Sequence, residues 1–191
     1  MPVTALPLPH LVAEAAVNIL QRLENDTAFP AFHMASLTYS DEWQCFAGFP
    51  VISQWKLEDD ARPLFVEAMR ALALKAAVYA LTEDDKAAEI AIAVPVDEMT
   101  HAMLAQSQLL HRIAECHAVS IIHQTDQEHT DYRHGDYTHQ CYTAAWGEPP
   151  ARYWLDHEQV EANRSHLAGL YASIGLGRSG REHSIAFAPA A

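Results

Sequence analysis

The stretch AEIAIAVPV, residues 88–96, decides how the chain is read. Ile90, Ile92 and Val94 alternate with small residues, so a strand here would carry branched apolar side chains on one face. Ala91 and Ala93 on the other face would let a helix approach closely. Pro95 cannot donate to a ladder, which puts it at the strand's end or at an edge. Read as a strand, the stretch needs partners, and the sequence offers them on both sides.

Upstream, FPAFHMASLTY (29–39) and WQCFAGFPVISQWKL (43–57) are rich in aromatic and β-branched residues and are separated by the turn residues SDE. They predict an antiparallel hairpin in which Gly48 and Pro50 mark a bulge, a bend or an edge. Downstream, HAVSIIHQT (117–125) and YTHQCYTAAW (137–146) predict two further strands.

Between and around these lie segments of helical period. In PHLVAEAAVNILQRLEN (9–25), Val12, Ala16, Ile19 and Leu23 form one stripe behind a first-turn proline. Residues 60–82 are the clearest element, with Asp60 as a cap, Pro63 in the first turn, and Phe65, Met69, Leu72, Ala76 and Tyr79 in line. Ala71, Leu74, Val78 and Leu81 widen that face, as expected of a central helix. Asp97 is placed to cap a helix over 98–115, and Asp156 with Gln159 predicts a capping box for the last one. The expected fold is a single α+β domain over residues 1–191. Its mostly antiparallel sheet has about five strands and four helices packed mainly on one face, and it becomes mixed if the helix over 98–115 is a crossover. Residues 175–184, Gly-rich, and the tail after them are expected to be flexible.

The chain's 191 residues carry 12 Lys and Arg against 25 Asp and Glu, a formal charge of −13. Such a field repels nucleic-acid phosphate and anionic lipid, so neither is expected as a partner, whereas a basic protein would be attracted. No apolar run is long enough to span a bilayer, and no signal-peptide pattern opens the sequence. Three cysteines at wide spacing, Cys45, Cys116 and Cys141, make no disulfide framework, so a reducing cytoplasm is the expected compartment.

Chemistry is concentrated in DQEHTDYRHGDYTHQ (126–140), where Asp-x-x-His recurs every five residues. That spacing gathers the histidines on neither a helix nor a strand. A turn at Gly135 and Asp136 between two strands would bring His123, His129, Asp131, Asp136 and His139 toward one another. Two or three imidazoles with a carboxylate suit Zn²⁺ or Fe²⁺, and the ligand set expected from this turn is His123, His129, Asp136 and His139. Cys141 and His139, two apart on a strand, would share a face, but nothing supplies an orienting group. Trp43, Trp55, Trp146 and Trp154 flank predicted strand ends and would line a ligand groove or a partner surface. The composition favours a non-catalytic acidic module without cofactor that binds a basic or neutral protein, such as an inhibitor, chaperone or accessory subunit. The alternatives are a metalloenzyme, such as a hydrolase, using the His/Asp cluster, and a small-ligand sensor with an aromatic-lined pocket.

Overall fold

The computed structural model describes residues 5–42, 52, 56–123 and 130–173, and among these it holds eight α-helices and no strand. They are α1 (Pro9–Glu24), α2 (Phe29–Glu42), α3 (Leu57–Thr82), α4 (Asp85–Ala88), α5 (Val94–Leu104), α6 (Ser107–Cys116), α7 (Tyr137–Trp146) and α8 (His157–Ser173). The expected α+β fold with a five-strand sheet is thus corrected to an all-helical one. The expected strand over 43–57 and the Gly-rich 175–184 fall almost wholly or wholly outside the described residues.

Each lost strand has a local reason. In α2 the buried residues Phe32 and Ser36 are one helical turn apart, and Phe29 packs beside them. The hydroxyls of Ser36 and Thr38 donate back to the carbonyls of Phe32 and Met34, at 2.9 and 3.0 Å. That back-bonding satisfies the two hydroxyls inside the helix. Phe29 and Phe32 meet Phe65 of α3 with ring centroids 6.0 and 5.8 Å apart, so tertiary packing overrides the strand propensity. In α7 the buried set is Thr138, Cys141 and Tyr142, which is helical spacing.

The opening stretch itself is extended only in part. Residues 89–93 run between α4 and α5 without a ladder partner, with Ile90, Ile92 and Ala93 buried. Val94 then begins α5, and Pro95 sits in its first turn, where a missing N–H costs no hydrogen bond. Residues 119–123 likewise belong to no helix or strand, with Val119, Ile121 and Ile122 packed on the core.

The helix α3 is the axis of the bundle and packs against α1, α2, α4, α5 and α7. Neighbours on several sides explain an apolar surface that includes Leu64, Phe65, Ala68, Met69, Leu72 and Val78. It starts earlier than expected, so Pro63 lies in its second turn, and Asp60 accepts from the backbone N–H of Lys56 at 2.8 Å rather than capping from outside. The single helix expected over 98–115 is two helices, α5 and α6, and Asp97 lies within α5. Among the described residues, no helix is long and apolar enough to cross a membrane.

Candidate metal centre

Asp97 and His101 stand one turn apart on the same face of α5, as i and i+4 spacing dictates. After α6 the chain returns along residues 119–123 and delivers His123 to that face. Oδ2 of Asp97 lies 3.5 Å from Nε2 of His101, and Oδ1 lies 3.7 Å from Nε2 of His123. One ligand atom from each of the three residues falls within 4.8 Å of the other two. Ligands about 2.1 Å from a common ion stand about 3.0–3.4 Å apart, so small side-chain movements would close the set around one.

Burial makes this cluster unusual. The side chains of His123 and Asp97 are 2% and 7% exposed, while that of His101, at 27%, forms the wall nearest solvent. Among the described residues, both ring nitrogens of His123 and Nε2 of His101 are buried without a hydrogen-bond partner. Buried polar atoms are rarely left so, because each costs about 1–3 kcal/mol. The His101 and His123 rings meet edge to face, with centroids 5.1 Å apart.

A buried ion pair joins α3 to the segment before α5. Nζ of Lys75, on α3, donates to Oε2 of Glu89 at 2.5 Å, and both side chains are 3% exposed. Burial, then the charge of Lys75, then His101, pull the pKa of His123 down to about 3. Its imidazole is therefore neutral, the form that ligates a metal.

The other expected ligands stand elsewhere. Asp136 caps α7: its Oδ1 accepts from the N–H of His139 at 2.8 Å and its Oδ2 from the N–H of Arg133 at 3.0 Å. Nδ1 of His139 is 2.7 Å from the hydroxyl of Tyr132, and its Nε2 is 3.5 Å from Glu148. Burial raises the pKa of Tyr132, so its hydroxyl keeps its proton beside that ring nitrogen. Nε2 of His134 donates to the carbonyl of Trp154 at 3.3 Å, and Asp131 is exposed. His129 lies outside the described residues. The structure therefore brings His123 together with Asp97 and His101 rather than with Asp136 and His139.

Among the tryptophans, Trp154 is fully buried and donates from Nε1 to Oε2 of Glu67 at 2.8 Å, so it serves the core rather than a groove. Trp146 packs edge-on to Tyr142 and lies 5.4 Å under the guanidinium of Arg70. Trp43 and Trp55 lie outside the described residues. Cys141 is buried in α7, where desolvation pushes its thiol up to about 11 and removes it as a nucleophile.

Sequence reasoning missed Asp97 and His101 because Asp97 was assigned to a helix cap. The signal was present: Asp-x-x-x-His inside a helical pattern puts both groups on one face. No family of known proteins, no curated protein and no solved structure matches the chain.

Proposed function

We propose that the protein is a metal-dependent enzyme whose centre is Asp97, His101 and His123. The observation that carries the reading is the meeting of three ligand atoms within 4.8 Å at a place where both nitrogens of a buried histidine lack partners among the described residues. Two imidazoles and one carboxylate suit Zn²⁺ or Fe²⁺, and three protein ligands leave positions for water or substrate. Such an ion lowers the pKa of its bound water toward neutrality, which supplies a nucleophile for hydrolysis.

The test is metal content after incubation with Zn²⁺, or anaerobically with Fe²⁺, followed by desalting. Stoichiometric metal is expected in the unmodified chain and in His139→Ala, and trace metal in His101→Ala and His123→Ala. Equal retention in all four would end the proposal for these ligands.

A second reading has its own support. The charge of −13 favours association with a basic protein, by steering more than by raw affinity. Recovery of a basic partner that is lost as salt is raised would sustain it, and background recovery at low salt would remove it.

A further inference from the structure

The turn that sends the chain from α6 toward His123 is closed by a residue that resists it. After the C-cap His117, the N–H of Ala118 donates to the carbonyl of Glu115 at 3.1 Å, and that of Val119 to the carbonyl of Ala114 at 2.9 Å. This pair of bonds requires a left-handed residue after the cap, and glycine is the usual one. Here the residue is Ala118, with φ +49°. An L-residue with a Cβ is strained there and stays only where its surroundings hold it.

The hold is on the preceding residue. Nε2 of His117 lies 3.1 Å from Oδ2 of Asp26, and the carbonyl of His117 accepts from Nη1 of Arg22 at 3.1 Å. The end of α1 thus grips one residue by its ring and by its backbone. Asp26 is itself fixed, because its Oδ1 accepts from the N–H of Ala28 at 2.7 Å. Beyond the turn, Val119, Ile121 and Ile122 pack on the core, but apolar contact is non-directional and does not set where the next side chain falls. We infer that Asp26 and Arg22 are positioning residues of the metal centre. Their grip on His117 holds the strained turn at Ala118, and the turn aims the segment that carries His123 to Asp97. Released, Ala118 would relax to negative φ and redirect the residues after it, His123 included.

This inference rests on the metal reading, and the experiment separates the two. Zn²⁺ affinity is measured by competition with a chromophoric chelator, at a temperature where circular dichroism shows each variant folded. Asp26→Ala is expected to bind roughly 3- to 30-fold more weakly than wild type, and Asp26→Asn, whose amide can still meet the ring, within a few-fold of it. Ala118→Gly removes the strain, so adding it to Asp26→Ala should restore most of the lost affinity. A role confined to stability would lower the melting temperature of Asp26→Ala and leave its Zn²⁺ affinity unchanged. That result, or a loss that Ala118→Gly does not restore, would overturn the role of the grip and leave the metal centre standing. No Zn²⁺ uptake by the wild type would overturn both. Should Asp26→Ala not fold, Arg22→Met is measured in its place, with and without Ala118→Gly. The same loss and the same restoration are expected, and an affinity equal to that of wild type sinks the inference.

Discussion

The guanidinium of Arg152 grips the carboxylate of Asp60 at two points, Nε to Oδ1 at 2.6 Å and Nη2 to Oδ2 at 2.7 Å. This fork ties the loop after α7 to the first turn of α3, and the hydroxyl of Tyr153 adds a third bond to Oδ1 at 2.9 Å. The hydrogen bond from Arg152 leads the groups that hold the pKa of Asp60 down to about 2, below its ordinary 3.8. A depressed carboxylate stabilises the fold fully above its unfolded value and loses that contribution as pH falls through the folded one. Stability should therefore drop between about pH 4 and pH 2, and Asp60→Asn should flatten that part of the profile. Because the Arg152 side chain is 41% exposed and screened by water, the contribution is about 1 kcal/mol. Thermal unfolding of both proteins across this range measures it.

Glu67 is a second buried acid, held by three donors from two other parts of the chain and its own helix. Its Oε2 accepts from the hydroxyl of Tyr142 at 2.6 Å and Nε1 of Trp154 at 2.8 Å, and its Oε1 accepts from Arg70 at 3.0 Å. Hydrogen bonds to a charged group contribute about 1.5–3 kcal/mol, so Tyr142→Phe should cost about 2 kcal/mol in urea unfolding. Trp154→Phe should cost more, since it also removes packing volume. The double variant should depart from the sum by at least about 0.5 kcal/mol, because both donors serve one oxygen. Strict additivity would show that Glu67 does not couple them.

The metal centre predicts opposite effects of one substitution on two properties. His123→Leu removes two buried nitrogens that have no partner among the described residues, so the metal-free protein should gain about 1–2 kcal/mol. Zn²⁺ should raise the melting temperature of the wild type by binding the folded state, and the same change should abolish that rise. Thermal unfolding with chelator and with Zn²⁺ gives both readings. A metal-free variant less stable than wild type would mark His123 as a structural residue.

At the start of α7, Gly135 has φ +82° and an added Cβ would meet nothing within 4 Å. Gly135→Ala should therefore cost only the backbone penalty, about 1 kcal/mol. Asp136→Ala removes the cap and should cost about 1 kcal/mol more or less independently of it. Urea midpoints of the two variants check these values, and neither change should alter metal content.

How far the sequence carried the fold depended on what decided each element. The stripe Val12, Ala16, Ile19 and Leu23 is buried as its spacing predicts, because a helix against a core needs only one apolar face. The central helix was legible for the same reason. In α2 and α7, aromatic and β-branched residues suggested strands, yet their partners are helices, which only the tertiary arrangement reveals. In AEIAIAVPV the alternating residues 89–93 are a connection between α4 and α5 that buries Ile90 and Ile92 without pairing, and the rest is helix. Of the candidate site, the Asp97–His101 spacing was readable from local period. The arrival of His123 was not, since it depends on how the chain turns after α6.

That division between a local pair and a distant third ligand bears on the order of assembly. Asp97 and His101 are in place whenever α5 is formed, whereas His123 must be carried back across the whole of α6. An ion captured early by the helical pair would offer His123 a fixed destination, and closing that loop would complete the coordination sphere. Loading and the last folding step would then be a single event, and metal supply during refolding would set how quickly the segment 119–123 finds its place.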